Sequence, residues 1–200
     1  MTEVNLTLPL DEDKVRALEL GDVVTLNGMF YTARDEAHMH ALDYLKEGKE
    51  LPVEFEGAAV FHCGPIMKKT NGDWELLAAG PTTSSRMNPL EPEFIEKFKV
   101  RAIIGKGGMS QPTVEAMQKF GCVYLAITGG AAIKAAMGVK KVHGVHWFDL
   151  GMPEALWVLE GENFGPLTVA IDAHGNSIYD QVGKQVEENV KHIRRKLLLD

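Results

Sequence analysis

Cysteine is scarce in this 200-residue chain: there are two, Cys63 and Cys122, and neither belongs to a CxxC pair. Two isolated cysteines provide neither a disulfide framework nor a zinc site, so both thiols are expected to be reduced. Basic charge is also in deficit, because 21 Lys and Arg stand against 28 Asp and Glu, which gives a formal net charge of -7. Nucleic acids and membrane surfaces attract basic proteins, so this balance argues against both and favours a small ligand.

Long apolar runs are missing as well. No segment reaches the length of a membrane span, and the N-terminal MTEVNLTLPLDEDK lacks the basic start and apolar run of a signal peptide. A soluble, cytoplasmic protein is therefore expected. No internal repeat or Ser/Gly/Pro-rich linker divides the chain, and 45% hydrophobic residues suffice for a full core. A single domain over residues 1–200 is predicted.

The first half of the chain combines strand and helix signals. DVVTLNGMFYT predicts two strands joined by a hairpin turn at Asn27-Gly28, and Asn71-Gly72 predicts a second hairpin between GAAVFHCGPI and WELLAAGP. Between them, acidic residues followed by apolar residues at helical spacing predict a helix over 35–46, with Gly48 as its stop.

In the second half of the chain, predicted strands and helices alternate, as is typical of a parallel sheet. A helix near EPEFIEKF, a strand in VRAIIG, a helix over 110–120 and a strand in CVYLAITGG follow one another, and a helix of small residues comes next. EALWVLEGENFGPLTVAID then predicts hairpin strands before a charged C-terminal helix. The expected fold is mixed α/β, with two groups of strands and helices covering one of the sheets.

A polar loop is predicted directly after the WELLAAGP strand. GPTTSSRM, residues 80–87, places four consecutive hydroxyls before Arg86. Hydroxyl donors suit an anion, and a guanidinium can grip a carboxylate through two parallel hydrogen bonds. The alternative is an ordinary polar loop whose hydroxyls cap the helix that follows.

A glycine-rich loop, IGKGGMS over 104–110, also joins a predicted strand to a helix. Glycines let backbone N–H groups close around an anion, and Lys106 adds a full positive charge. The spacing fits neither a P-loop nor a dinucleotide fingerprint, so a carboxylate is the more natural guest. A glycine-rich turn with a solvated lysine is the alternative.

Arg34 is a third candidate, at the start of the helix predicted over 35–46. A surface ion pair with Asp35 or Glu36 would explain it equally well. The histidine pairs, 38/40 and 143/146, lack the spacing of a helical zinc site, so no metal site is predicted. Both cysteines lie in apolar segments and are expected to be buried.

Taken in order, GPTTSSRM, IGKGGM, WFDLGMPEALW and NFGPLTVAID resemble the β subunit of class I fumarate hydratases and L(+)-tartrate dehydratases. The similarity runs from about Leu6 to Tyr179, and in some members the same unit is the C-terminal domain of one long chain. It implies a swivelling β/β/α domain and a hydro-lyase that is active only with an α subunit, in a hetero-oligomer such as α2β2. It also implies a [4Fe-4S] cluster held by three cysteines of that α subunit, with one iron open to substrate. Two separated cysteines cannot supply that set.

The resemblance also implies roles for particular residues. Arg86 and Lys106 fall on positions that bind the distal carboxylate of the substrate, and Arg34 falls on a further carboxylate-binding position. Thr82 falls on the position that takes or relays the proton from the carbon next to that carboxylate. A threonine hydroxyl is a poor base, so a neighbouring carboxylate of the α subunit would have to assist it. The resemblance also implies that Thr83, Gly105 and Gly107 support the substrate-binding residues in the same two loops. One departure is Cys63 in HCGP, where many relatives carry an aromatic residue.

The implied reaction is the reversible trans elimination of water from (S)-malate to give fumarate, a step of the tricarboxylic acid cycle. Tartrate dehydration to oxaloacetate uses the same motifs and is the alternative. A non-catalytic binding module that keeps the fold is a further alternative, but it would not need Arg86, Lys106 and Thr82 together. A self-contained enzyme is disfavoured by the lack of cluster ligands and of a nucleophile–base pair.

Overall fold

Strands and helices alternate along the chain, which confirms the predicted mixed α/β class. A computed structural model describes residues 2–130 and 132–197, and the remaining positions of the predicted domain, 1–200, lie outside the described residues. The organisation of the chain as a single domain and the swivelling class implied by the resemblance stay predictions.

The strands are Glu3–Thr7 (β1), Val23–Thr32 (β2), Ala59–Phe61 (β3), Ile66–Thr70 (β4), Asp73–Ala78 (β5), Ala102–Gly105 (β6), Val123–Ala126 (β7), Val139–His146 (β8) and Leu156–Ile171 (β9). The α-helices are Glu12–Arg16 (α1), Asp35–Lys46 (α2), Glu91–Phe98 (α3), Gln111–Phe120 (α4), Ala132–Met137 (α5) and Ile178–Lys196 (α6). Short 3₁₀ helices cover Ser84–Met87 and Phe148–Leu150.

The main sheet has the strand order β1-β2-β3-β6-β7-β9-β8. β1, β2, β3, β6 and β7 are parallel to their neighbours, whereas β9 is antiparallel to both β2 and β7. Because β9 pairs with both β2 and β7, the strands β2, β3, β6, β7 and β9 close on themselves, and β1 lies outside this ring on β2. β4 and β5 form a separate antiparallel hairpin. The expectation of two strand groups is therefore confirmed, although one group is far smaller than the other.

Two apolar layers hold this arrangement together. The first fills the space enclosed by the closed strands, with Phe30, Phe61, Trp157 and Phe164 fully buried. The second lies between the sheet and the helices α2, α3 and α4. Helices therefore cover one face of the main sheet, as expected. Each large apolar side chain that is fully buried contributes about 1.5–3 kcal/mol to this packing.

The helix prediction over 35–46 is confirmed by α2, and the helix over 110–120 by α4, which begins at Gln111 with Ser110 as its N-cap. The turn predicted at Asn71-Gly72 is confirmed, but it joins β5 to β4, whereas the strand within GAAVFHCGPI is β3 of the main sheet and not the hairpin partner. The parallel relation of VRAIIG and CVYLAITGG is confirmed by the pairing of β6 with β7.

The hairpin predicted at Asn27-Gly28 is wrong, because β2 passes through both residues without turning. Gly28 does have a positive φ of 100°, yet it forms an irregularity in the pairing with β9. The strand continues because β1 pairs with it on one side and β9 on the other. A side chain at Gly28 would also meet the carbonyl oxygen of Leu8, at 3.0 Å from its Cβ.

The hairpin predicted in EALWVLEGENFGPLTVAID is wrong for a similar reason. This segment is the single 16-residue strand β9. Asn163 and Gly165 adopt positive φ values of 54° and 153°, so the turn chemistry seen in the sequence bends the strand instead of reversing it. β9 stays extended because it pairs with β2, β7 and β8 in succession.

Candidate functional site

The candidate residues lie where three neighbouring parallel strands end. β2, β3 and β6 are adjacent in the sheet, and their carboxyl ends therefore lie at the same edge. Arg34 follows β2, His62 follows β3 and Lys106 follows β6. In α/β sheets, ligands bind outside the carboxyl ends of the strands, so this edge is the natural place for a site.

The loop formed by residues 80–87 crosses this edge of the sheet. The backbone N–H of Thr82 donates to the carbonyl oxygen of His62 at 2.7 Å, and the N–H of Ser84 donates to the carbonyl oxygen of Lys106 at 3.0 Å. Thr83 and Lys106 pair as an isolated parallel bridge. The loop that carries Thr82 is thus attached to the ends of β3 and β6, which brings both polar loops of the sequence together.

The two arginines approach the same edge from different elements. Arg86 pairs with Asp35, the first residue of α2, with 2.8 Å between Nη2 and Oδ2. Its side chain is 51% exposed, so most of its donors face outward. Arg34 immediately precedes Asp35, and therefore the two guanidinium-bearing segments are neighbours.

Arg34 is held more tightly than Arg86. Its Nη2 lies 3.0 Å from Oε1 of Glu154, and its side chain is only 19% exposed. Glu154, and not Asp35 or Glu36, is the acidic partner of Arg34, so the local surface ion pair considered as an alternative is not formed. Within the described residues the Nε of Arg34 makes no hydrogen bond.

Glu154 has a second function at this edge that the sequence did not indicate. Its Oε2 accepts a hydrogen bond of 3.2 Å from the backbone N–H of Glu36, in the first turn of α2. A carboxylate at a helix N-terminus is stabilised by the helix dipole. Glu154 thereby fixes both the start of α2 and the guanidinium of Arg34.

The glycines of IGKGGM have specific steric roles. A Cβ on Gly105 would lie 2.0 Å from the Oγ of Ser84 and 3.0 Å from the hydroxyl of Tyr124. Gly107 has a φ of 77°, a conformation that side chains disfavour. Gly105 therefore allows the loop over residues 80–87 to pack closely against β6, and Gly107 allows the chain to turn after Lys106. Their contribution to anion binding stays a prediction.

A buried polar cluster lies directly beneath the site. His38, His62 and Glu91 are all fully buried. Oε2 of Glu91 lies 3.0 Å from Nε2 of His62 and 3.5 Å from Nε2 of His38. Burial by itself raises the pKa of Glu91, but His62 and His38 outweigh it and the pKa is lowered overall. Burial lowers the pKa of His38, and the Glu91 carboxylate opposes that shift.

Ser84 and Tyr124 extend this cluster toward the loop. Ser84 Oγ lies 2.9 Å from Nδ1 of His62, and the Tyr124 hydroxyl donates to Ser84 Oγ at 2.9 Å. These contacts were not evident from the sequence, because Glu91 is typical of an acidic residue in the first turn of a helix and His62 lies at the end of an apolar strand. Ligand atoms of His38, His62 and Glu91 lie within 4.8 Å of one another, so these residue types could hold a metal ion. Reasoning from spacing alone had considered His38 only with His40.

Neither cysteine is suited to hold an iron–sulfur cluster. Cys63 and Cys122 are buried, as expected, and both are free thiols. Burial raises the pKa of Cys63 to about 12, so it stays protonated at neutral pH, whereas a cluster is bound by thiolates. The two cysteines of the chain do not provide the three-cysteine set of a [4Fe-4S] cluster, and Cys63 lies opposite Pro81 in the backbone pairing.

Other surface features lie away from this edge. A cleft of about 450 Å³ lies between the β4–β5 hairpin and β8, lined by residues that include Trp74, Leu76 and Val142. None of Arg34, Thr82, Arg86 and Lys106 contributes to it. Among the helices of the described residues, none has the length and apolar character needed to cross a membrane.

Comparison with known proteins gives a consistent result. Residues 1–182 match the family model described as Fumarase C-terminus. The chain is 49% identical over 185 residues to a protein of Methanocaldococcus jannaschii named as a candidate L(+)-tartrate dehydratase β subunit, covering 92% of this chain and 95% of the relative. It is 39% identical over 200 residues to the L(+)-tartrate dehydratase β subunit of Escherichia coli (strain K12), covering 94% and 98%.

A third relative is a longer protein. The chain is 41% identical over 192 residues to a candidate class I fumarate hydratase of Geobacillus stearothermophilus. The match covers 96% of this chain but 36% of that protein.

Proposed function

The chain belongs to the fumarase C-terminus family, and from this premise we propose that it is the β subunit of a class I hydro-lyase, with (S)-malate and fumarate as its substrates. The observation that carries the proposal is the convergence of Arg34, Thr82, Arg86 and Lys106 at one edge of the sheet. Three cations beside a hydroxyl-rich loop suit a small dicarboxylate, and both kinds of relative are named for reactions that add or remove water.

The cations would bind and stabilise the carboxylates of the substrate. As a proton leaves the carbon next to a carboxylate, negative charge accumulates on that carboxylate. Arg86 and Lys106 would stabilise the charge most strongly at that point, so they would lower the barrier more than they strengthen ground-state binding. Arg34, already oriented by Glu154, would position the second carboxylate.

Thr82 would take or relay the proton that leaves. Its backbone N–H is fixed on His62, which holds the residue in place at the start of the loop. An aliphatic hydroxyl ionises too weakly to act alone, so a carboxylate of the partner would have to accept the proton in turn.

The cluster implied by the resemblance does not fit this chain's donor set, so we propose that the α subunit holds it. This chain would then supply carboxylate-binding and proton-transfer groups to a site shared with that partner, in a hetero-oligomer such as α2β2. Neither nucleic acid nor a membrane is proposed as a partner, and a cytoplasmic location stays a prediction.

Tartrate is the second candidate substrate. The names of the Methanocaldococcus and Escherichia relatives favour it, since both refer to L(+)-tartrate dehydratase. The Geobacillus relative is named for fumarate hydration instead. The residues that distinguish the two acids would be those that face the second hydroxyl of tartrate.

The test is reconstitution with the cluster-bearing α subunit under anaerobic conditions. Initial rates with (S)-malate, fumarate and L(+)-tartrate give kcat/KM for each, and the proposal predicts the highest values for malate and fumarate. The same complex built with the Lys106→Ala chain should lose turnover of every substrate. A preference for tartrate would support the second candidate, and turnover of none of the three would contradict the hydro-lyase assignment.

A further inference from the structure

The buried cluster beneath the site contains a carboxylate that the proposed chemistry does not use. Glu91 lies in the first turn of α3 and has no exposed surface. Its Oε2 is shared between the Nε2 atoms of two histidines, at 3.0 Å and 3.5 Å. A buried carboxylate is costly without nearby partners, and of these two contacts the one with His62, at 3.0 Å, is the closer.

One of the two histidines connects Glu91 to Arg34. Nδ1 of His38 lies 2.7 Å from the backbone carbonyl oxygen of Arg34. A carbonyl can only accept, so Nδ1 must carry a proton and donate it. Through Nδ1, His38 holds the backbone from which the Arg34 side chain extends, and its Nε2 contacts Glu91 without forming a hydrogen bond.

The other histidine connects Glu91 to the loop over residues 80–87. Tyr124 donates to Ser84 Oγ, and the Ser84 hydroxyl can then donate to Nδ1 of His62. This direction leaves the proton of His62 on Nε2, facing Glu91. The backbone carbonyl of His62 also accepts from the N–H of Thr82. His62 therefore holds the loop at two points, through its main chain and through its ring.

We propose that Glu91 is a positioning residue that, through His38 and His62, fixes Arg34 and the segment 82–84 in one relative arrangement. The inference rests on the proposed function, because it assigns the cluster to the same site. Glu91 itself does not reach the substrate. A site that must hold a dicarboxylate between groups from separate elements requires those groups to be fixed within fractions of an ångström, and small displacements are costly in rate.

The first test uses the chain alone and does not depend on any reaction. Glu91→Gln keeps the shape of the side chain and removes its charge, and Ser84→Ala removes only the hydroxyl that His62 contacts. Hydrogen–deuterium exchange of a peptide spanning residues 82–87 should be faster by about tenfold or more in both variants, because the bonds of Thr82 and Ser84 open more often.

Val100→Ala is the matched control. Val100 is fully buried in the same helix–sheet core as α3. It takes no part in the hydrogen bonds and ion pairs that link Glu91 to the loop over residues 80–87. It should lower the thermal unfolding temperature, while exchange in the 82–87 peptide changes no more than in the rest of the chain. If Glu91→Gln and Ser84→Ala gave the same uniform pattern as Val100→Ala, the cluster would be ordinary core and the proposal would be overturned.

The second test uses the reconstituted complex. Both network variants should lower kcat/KM by about tenfold to a hundredfold with raised KM, whereas Val100→Ala should stay within about twofold at a temperature where all chains are folded. Unchanged KM and kcat in Glu91→Gln would overturn the positioning role. An inactive wild-type complex would contradict the proposed function instead, while the exchange experiment would still decide this inference.

Metal analysis of the purified chain distinguishes the positioning role of Glu91 from the alternative that His38, His62 and Glu91 bind a metal ion. The proposal predicts no stoichiometric zinc after dialysis against a chelator, because the Nε2 of His62 that faces Glu91 carries a proton. One equivalent of zinc that is retained by the wild type and lost in Glu91→Gln would show a metal site at this cluster, and the hydrogen-bonded account would be wrong.

Discussion

Arg86 and Arg34 differ in how freely their guanidinium groups can reach a ligand. Arg86 is about half exposed and forms an ion pair with Asp35, whereas Arg34 is mostly enclosed and held by Glu154. Exposed ion pairs contribute about 0–1 kcal/mol to stability. Changes at Arg86 should therefore affect binding and catalysis with little effect on folding.

Replacing Arg86 should weaken the carboxylate clamp specifically. We expect Arg86→Ala to lower kcat/KM of the reconstituted enzyme by about a hundredfold or more, because a buried carboxylate loses a charged partner worth roughly 2–5 kcal/mol. Arg86→Lys should recover only part of this loss, since an ammonium cannot make the bidentate contact. Lys97→Ala, which removes an exposed cation of α3, is the control and should be neutral. Near-wild-type kinetics in Arg86→Ala would contradict the assignment.

Replacing Thr82 should separate proton transfer from binding. Thr82→Val removes the hydroxyl at nearly constant shape and keeps the backbone N–H that donates to His62. We expect kcat to fall while KM stays close to normal. Exchange of the malate C3 hydrogen with solvent deuterium measures the step directly. Exchange at the wild-type rate in Thr82→Val would remove Thr82 from the proton path.

Replacing Gly105 tests whether the close packing of the loop over residues 80–87 on β6 contributes to stability. A Cβ at this position would lie 2.0 Å from Ser84 Oγ, so Gly105→Ala must displace the loop over residues 80–87. We expect an unfolding free energy lower by about 1–3 kcal/mol, measured by denaturant titration. Gly144→Ala, where a Cβ meets nothing within 4 Å, is the control and should change stability little. Equal stability of the two variants would show that this contact is not a constraint.

The candidate site was partly predictable at the level of single residues. Lys106 stands in a short loop after an apolar parallel strand, and such loops meet at one sheet edge. Arg86 follows β5 of the separate hairpin, and its loop reaches that edge through the backbone hydrogen bonds of Thr82 and Ser84. The contacts of Glu91 with His38 and His62 were not predictable, because these residues are far apart in sequence and each has an ordinary local explanation. Only the packing of α2 and α3 on the sheet brings them together.

At the scale of whole elements, the errors came from turn chemistry that the tertiary structure overrides. Asn27-Gly28 has the composition of a tight turn, and Gly28 does adopt a positive φ. The strand nevertheless continues, because β1 pairs with its first half on one side and β9 pairs with it on the other side, beyond Gly28 to Thr32. Asn71-Gly72 has the same composition and does form a turn, since β4 and β5 pair chiefly with each other. The sequence alone cannot distinguish these cases.

The C-terminal helix α6 is exposed over most of its length. Residues 181–197 are all exposed, and an apolar stripe that includes Val182, Val186 and Ile193 faces outward. The family match ends at residue 182. Only the start of the helix is anchored, by the partly buried Ile178 and Tyr179.

Truncation of α6 should therefore leave the fold intact. A chain that ends at Gly183 should change the unfolding free energy by less than about 0.5 kcal/mol, because the residues removed are exposed. A chain that ends at Asn176 also loses Ile178 and Tyr179, and it should be clearly less stable. Thermal unfolding of both truncated chains measures the difference. A large loss of stability in the longer of the two would show that α6 packs against the sheet.

At the scale of the whole molecule, the proposed function divides the active-site groups between two subunits, and this chain would supply the carboxylate-binding and proton-transfer groups. The cations and the Thr82 hydroxyl converge at an open edge of the sheet, while both thiols are buried and unsuited to a cluster. The net charge of the chain is -7, and Arg34, Arg86 and Lys106 supply positive charge locally at this edge, which suits an anionic substrate. The account therefore requires that an active site forms only when a cluster-bearing partner covers this edge.

The most direct test of that claim is the rate of (S)-malate dehydration measured against the ratio of the two purified subunits under anaerobic conditions. The account predicts a folded, colourless and inactive chain on its own, and activity that rises with added α subunit to a plateau at equimolar ratio. Measurable dehydratase turnover by this chain alone would contradict the shared-site account.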